Sequence, residues 1–290
     1  MAQNTEKYNT NKRPTWCPGC GNFGIHMALK TALAELEIAP SETFIAFDIG
    51  CNGNGADTIS TYGFKGLHGR AVALASGAKL ANKKFTVIAD QGDGACFHEG
   101  IDHLVNAIKS NYDITILIHN NENFALTTGQ ATVTTNQDKP MYGQPYGKPE
   151  KGFNINEFIM SLHPTFFAKG YSGDIKELKD LIKKGIKHHG CSVIEISQLC
   201  PSYNKEATPQ WFNEHITKVS TLKDYSNKSY DKAMELSKKM TNDKIYTGVI
   251  YQQNNVESFY DNLKNRKNYK TELVDEVKEY NIKPLLKYFE

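Results

Sequence analysis

Two short motifs carry residues suited to a diphosphate and its metal. They are Gly92-Asp93-Gly94 and Asn120-Asn121, separated by residues 95–119. Gly92 and Gly94 let the backbone approach an anion closely. A helix after them would offer free N–H groups and a positive dipole end to phosphate oxygens. Asp93 is a hard oxygen ligand, and Asn121 adds a neutral carbonyl oxygen. Magnesium takes few protein ligands and fills its shell with phosphate oxygens and water. Either motif alone reads as a turn, because turns favour the same residue types. As a pair, each placed after a hydrophobic run, they read as a binding edge.

The cysteines form a second constellation. Cys17 and Cys20 make a C-x2-C beside Gly19 and Gly21, Cys51 lies in a glycine-rich loop, and Cys200 stands before Pro201. A C-x2-C points both thiolates one way, which suits a metal or a cluster. On spacing alone, these four could hold zinc, an iron–sulfur cluster or nothing. Cys96 and Cys191, next to Phe97 and Val193, read as small buried hydrophobes.

Elements must position these groups. Hydrophobic runs at 85–89 and 114–118 predict strands leading into the two motifs. Ile101, Leu104, Val105 and Ile108 recur at helical spacing between them. Strand, turn, helix, strand puts both motifs past strand C-termini, where open parallel sheets bind ligands. Upstream, a helix from Ile25 to Leu36 is followed by a strand at 43–48 and the loop 49–55. Residues 71–81 predict a small-residue helix. Residues 131–154, rich in proline and glycine, predict a long loop, functional or mobile. A short helix (158–162), a strand (165–169), a helix (175–188) and a strand (191–197) complete an α/β unit. Residues 205–290 read as a lysine- and asparagine-rich C-terminal extension with one strand, 246–251. Residues 1–15 read as flexible or draped over a partner.

The 290 residues are 39% hydrophobic and 23% charged, an ordinary globular profile. Net charge is +2, from 34 basic and 32 acidic residues. Nothing there suggests nucleic acid or a membrane surface. The N-terminus has no apolar signal core and no run approaches a membrane span, so a cytoplasmic protein is expected. Cysteines in such a chain point to metal or redox chemistry before disulfides.

The GDG…NN pairing resembles the signature of thiamine-diphosphate (ThDP) enzymes. WCPGCGN, IGCNGNG, YGFKGLHGRA, GAKLAN, GDG, NNENFALTTGQ and LCPSYN, in this order over residues 16–204, together resemble the β-subunit of 2-oxoacid:ferredoxin oxidoreductases. YTGVIYQ at 246–252 is a weaker echo. The resemblance implies an α/β ThDP-binding fold, with a mostly parallel sheet flanked by helices. It implies a [4Fe-4S] cluster on Cys17, Cys20, Cys51 and Cys200. It implies ThDP held by Ile49, Gly50, Cys51, Asn52, His68, Gly92, Gly94, Ala95, Ala125 and Leu126. Magnesium would sit on Asp93, Asn121 and the backbone carbonyl of Asn123. It also implies decarboxylation of a 2-oxoacid, with coenzyme A taking the acyl group and ferredoxin the electrons. An α-subunit, separate or fused to a γ-subunit, would supply the glutamate that activates ThDP. No catalytic side chain is assigned on this chain.

Two departures stand out. Ala95 occupies the last position of the family's usual GDGD. Thr128 replaces a lysine associated with 2-oxoglutarate-type members, which favours a monocarboxylic 2-oxoacid such as pyruvate. Two rival functions remain at this level. One is a non-redox ThDP decarboxylase or lyase subunit with structural zinc. The other is a non-catalytic, zinc-bound interaction protein.

Overall fold

The structure is a computed structural model and describes residues 5–266, 269–277 and 281–288. Its centre is one eight-stranded sheet. In chain order the strands are β1 (Thr43–Phe47), β2 (Tyr62–Lys65), β3 (Thr86–Gly92), β4 (Thr115–Asn120), the short β5 (Asn123–Phe124) and β6 (Gln130–Ala131), β7 (Phe166–Tyr171), β8 (Ser192–Ser197), β9 (Ile216–Lys218) and β10 (Ile245–Gln252). The sheet order is β2-β1-β3-β4-β8-β7-β10-β9, and β5 pairs with β6 separately. Every pairing in the large sheet is parallel except β10 on β7.

The helices are α1 (Asn22–Glu35), α2 (Ala71–Ala81), α3 (Ile101–Ser110), α4 (Ile155–Ser161), α5 (Ile175–Lys187), α6 (Pro209–His215), α7 (Tyr230–Lys238) and α8 (Lys283–Leu286). Strand side chains alternate between faces. Ile116 and Ile118 therefore join a core with α2, α3, α4 and α7, while Leu117 joins the opposite core with α1 and α5. A parallel sheet covered on both faces explains the nearly continuous apolar runs of its strands. Side-chain caps set several helix starts. Asp174 accepts from Glu177 N at the start of α5, and Asn154 from Asn156 N and Glu157 N at α4.

Three differences from the sequence expectations have physical reasons. β3 runs on through Asp90 and Gln91 to Gly92, because those polar side chains find partners inside. Residues 205–290, expected to carry one strand, add two to the sheet: β10 hydrogen-bonds to β7 and carries β9. The stretch expected to be flexible is pinned at Tyr8. Its side chain is wholly buried, its hydroxyl donates to the Ile38 carbonyl, and its own carbonyl accepts from Ser60 N (2.8 Å). No helix among the described residues is long and apolar enough to cross a membrane.

Candidate functional site

The strands β1, β3, β4 and β8 are consecutive neighbours and all parallel, so their C-terminal ends share one edge. Each end delivers one segment. β1 leads into residues 48–55, β3 into Gly92-Asp93-Gly94, β4 into Asn120-Asn121, and β8 into Gln198-Leu199-Cys200. Together they enclose a cavity of about 500 Å³, counting its open mouth. Its lining includes Ile49, Gly50, Cys51, Asn52, His68, Gly92, Asp93, Gly94, Ala95, Asn121, Asn123, Ala125 and Leu126. These are all the residues expected to hold cofactor and magnesium. Asp48, His119, Phe124, Thr127 and Gln198 also line it.

A buried polar network forms the floor. His119 Nδ1 lies 2.9 Å from Asn22 Oδ1, and its Nε2 lies 3.2 Å from Asp90 Oδ2. Asn52 Nδ2 donates to both Asp90 Oδ1 and the Asp90 carbonyl at 3.0 Å. Asn22 opens α1, directly after the C-x2-C segment, so this network ties both cysteine loops to β3 and β4. Burial alone would raise the Asp90 carboxyl. His119, Asn52 and His26 outweigh that and hold it below the usual carboxylate range.

The first wall is the GDG turn. Asp93 is buried, and its Oδ2 accepts from Thr132 Oγ1 and Thr134 Oγ1, both at 2.7 Å. Burial pushes its carboxyl up to about 6, against those hydrogen bonds. A buried carboxylate served only by neutral donors fits a hard cation, which would remove that penalty. After Gly94 the chain makes one π-helical turn, Ala95–Glu99, before α3. Such turns cluster at functional sites. Gly94 has ordinary helical angles, so its need for glycine is steric. A Cβ there would stand 2.7 Å from Phe124 Cδ1 and 2.9 Å from Cζ.

The second wall is the asparagine loop. Asn121 Oδ1 accepts from Asn123 N (3.0 Å), and Asn123 Nδ2 donates to the Asn121 carbonyl (2.7 Å). Asn120 Nδ2 donates to Glu195 Oε1 (2.9 Å), and Glu195 also pairs with the buried Lys169. The third wall carries His68. Gly69 N donates to Asp48 Oδ1 (2.8 Å) and pins that loop, while His68 Nδ1 meets Glu99 Oε2 at 2.8 Å. That leaves Nε2 for the cavity. Asp48 Oδ2 is buried with no hydrogen-bond partner. Burial pushes the Asp48 carboxyl up to about 6, against the backbone bonds from Gly69 and Ile49.

The four site cysteines converge beside this cavity. Cys51 lines it. Cys200 Sγ lies 3.9 Å from Asn123 Oδ1, and Gln198, another lining residue, reaches Cys20 Sγ at 3.7 Å. Gly21 N bonds to the Leu199 carbonyl (2.9 Å), and Ser202 Oγ to Cys17 Sγ (3.2 Å). Trp16 Nε1 donates to the Cys51 carbonyl. Burial pushes the Cys51 thiol up to about 12, and Cys20, Cys200 and Cys17 add to it by charge. Crowded thiols of this kind suit a metal or an iron–sulfur cluster, whose charge offsets thiolate repulsion. Among the described residues no three Cys, His, Asp or Glu side chains close into a cage for one ion. An iron–sulfur cluster spreads its thiolates around a cube instead. Cys96 and Cys191 are fully buried in the apolar core.

Thr128, expected near the substrate, is exposed, turns at φ +81° and directly follows the lining residue Thr127. Five lining residues went unnoticed in the sequence as site residues. Asp48 carried a signal, standing at a strand end against IGCNGNG. His119 directly follows an apolar run and read as a structural or surface histidine. Phe124, Thr127 and Gln198 carried no clear mark.

Known proteins resemble this chain along most of its length. Residues 48–196 match the family described as "Thiamine pyrophosphate enzyme, C-terminal TPP binding domain". Residues 200–268 match the family that describes the C-terminal part of the pyruvate ferredoxin oxidoreductase beta subunit. A 2-oxoacid:ferredoxin oxidoreductase subunit beta from Sulfolobus sp is 35% identical, over 91% of this chain and 88% of that one. The 2-oxoglutarate oxidoreductase subunit KorB of Mycobacterium tuberculosis is 31% identical, over 70% and 54%. A solved 2-oxoglutarate:ferredoxin oxidoreductase from Magnetococcus marinus, with 2-oxoglutarate, coenzyme A and succinyl-CoA bound, superposes with TM-score 0.87. That match is 27% identical and covers 100% of this chain and 97% of the other.

Proposed function

The chain belongs to the family of 2-oxoacid:ferredoxin oxidoreductase β-subunits, and we propose that it carries ThDP, magnesium and a [4Fe-4S] cluster for oxidative decarboxylation of a 2-oxoacid. Coenzyme A accepts the acyl group and ferredoxin the electrons. The site is completed by an α-subunit. One observation carries this reading. Cys51 belongs at once to the ThDP-type cavity and to the group of four cysteines. Cofactor and cluster would therefore be neighbours, as transfer of single electrons between them requires.

When bound, ThDP supplies the electron sink that decarboxylation needs, and the cluster takes electrons one at a time. The residues of this chain position and shield. Asp93, Asn121 and the carbonyl of Asn123 would hold magnesium beside the diphosphate. The backbone at Gly94 and Ala95 and the His68 imidazole would serve the phosphate oxygens, with Glu99 and Asp48 orienting the His68 loop. Asn52, fixed by Asp90, keeps the Cys51 loop in register with the cavity. Phe124, packed against Gly94, keeps water from that side. The family's activating glutamate is expected from the α-subunit.

The relatives' names include both general 2-oxoacid and 2-oxoglutarate enzymes, so the substrate is stated as a 2-oxoacid. The test is co-purification with the α-subunit, then a screen of pyruvate, 2-oxoglutarate and branched 2-oxoacids with coenzyme A and a viologen acceptor. ThDP-dependent, coenzyme-A-dependent viologen reduction with one of them is expected. A colourless, zinc-loaded complex that decarboxylates without reducing the acceptor would favour the non-redox rival.

A further inference from the structure

The loop at 131–154 has almost no regular structure, yet it is a fixed part of the site. Lys148 is buried, and its Nζ donates to the carbonyls of Val133 (3.2 Å), Thr135 (3.1 Å) and Lys151 (3.3 Å). Asn242 Nδ2 donates to the Thr134 carbonyl (2.8 Å), and Val133 N to His98 Nε2 (3.1 Å). Thr135 Oγ1 donates to the Glu122 carbonyl (2.6 Å), beside the asparagine motif. These anchors hold the backbone while Thr132 and Thr134 reach the GDG turn.

Both threonines are buried, at 1% and 2% exposure, and both donate to the same atom, Asp93 Oδ2. Thr134 Oγ1 also lies 3.1 Å from Asn120 Oδ1, so one hydroxyl touches both metal-binding motifs. Two short bonds to one carboxylate oxygen fix the rotation of the group. The other oxygen, Oδ1, is thereby turned off the threonine side. Partners that orient a ligand in this way typically matter about ten- to a hundredfold in metal affinity.

We propose that Thr132 and Thr134 are positioning residues for Asp93, holding its carboxylate in the orientation that binds magnesium. The inference rests on the magnesium site described above. It gives the 131–154 loop a role in the site, that of presenting two hydroxyls to one oxygen.

The test uses the complex with its α-subunit. ThDP binding is followed by calorimetry or fluorescence while magnesium is titrated, and the magnesium concentration for half-maximal binding is read. Thr132→Val and Thr134→Val preserve size and remove the hydroxyl, and each should raise that midpoint about tenfold or more. Thr132→Ser and Thr134→Ser should return close to wild type. Iron content and visible absorbance should stay unchanged throughout, which reports the fold without using activity. Valine variants with the wild-type midpoint would overturn the inference. So would serine variants as impaired as the valine ones, since the methyl group would then be what matters. Asp93→Ala separates the two levels. If it shifts the midpoint and the threonine variants do not, magnesium stays on Asp93 and the positioning role falls. If Asp93→Ala leaves the midpoint unchanged, the magnesium site is wrong, and this inference falls with it.

Discussion

Gly94→Ala tests the packing of the cofactor cavity with little ambiguity of sign. Gly94 has φ −58° and ψ −52°, which alanine adopts freely. On backbone grounds alone the substitution should stabilise by about 0.4–1 kcal/mol. Contact opposes this. The new Cβ would stand 2.7 and 2.9 Å from Phe124 ring carbons and closer still to Cε1. Overpacking of that kind costs about 1–3 kcal/mol. Phe124 lines the cavity between His68 and His98, with ring centroids 5.9 and 5.0 Å away. The ring can give only by moving, and the cavity wall moves with it. If the cost falls on the bound state, ThDP affinity should drop by about five- to 150-fold, at 1.4 kcal/mol per tenfold. The assay is ThDP titration of the complex with its α-subunit at saturating magnesium, with iron content as the control. Adding Phe124→Leu, which removes the ring carbons in the way, should recover part of the loss. Unchanged ThDP affinity in Gly94→Ala, with iron intact, would refute the packing argument.

The remaining predictions concern metals, substrate and pH. Each of Cys17, Cys20, Cys51 and Cys200 changed to Ser should bleach the broad visible absorbance and lower bound iron, whereas Cys96→Ser and Cys191→Ser should not. Asp93→Ala should lower ThDP affinity at least about tenfold, or 1.4 kcal/mol, and leave iron unchanged. Thr128→Lys should change the ratio of kcat/KM for pyruvate and 2-oxoglutarate by less than about threefold, under 0.7 kcal/mol, because Thr128 lies outside the cavity. A large swing toward 2-oxoglutarate would place Thr128 at the substrate. Burial, against the pull of Asp113 and with a small push from His189, lowers the His188 imidazole to about 4 from an ordinary 6.5. The folded state therefore keeps it neutral while the unfolded chain takes a proton below pH 6.5. Its contribution to stability is full above that pH and is lost toward pH 4, at up to about 1.4 kcal/mol per pH unit. Urea unfolding of wild type and His188→Gln between pH 7 and 5 should show the flatter dependence in the variant, and equal slopes would contradict this.

Much of the frame was legible because its strands are buried on both faces. The apolar runs before Asp93 and Asn120 and around Val193 needed no partner to be recognised. β2 was not legible, because all four of its residues are exposed and it pairs only at the sheet edge. α6, β9 and α7 lie in lysine- and asparagine-rich sequence whose few apolar residues reveal no period until they pack. Tyr8 in a polar stretch gives no sign that the pocket beside Ile38 and Ser60 exists. In the site, the GDG and NN motifs and the four cysteines were legible as a set, by their order and spacing, since either motif alone reads as a turn. The supporting residues did not. Asp90, His119 and Asn22 are polar groups whose meaning is their mutual distance. Thr132 and Thr134 come from a loop whose composition suggests only irregularity.

The central claim is that the cavity and the four cysteines act as one redox site. The most direct measurement is the visible and electron paramagnetic resonance spectrum of the anaerobic complex with its α-subunit, before and after a 2-oxoacid and coenzyme A are added. The account predicts a brown protein whose absorbance partly bleaches on addition, with a reduced-cluster signal that requires ThDP and disappears in Cys51→Ser. An iron-loaded complex that turns over its 2-oxoacid while the spectrum stays unchanged would contradict it.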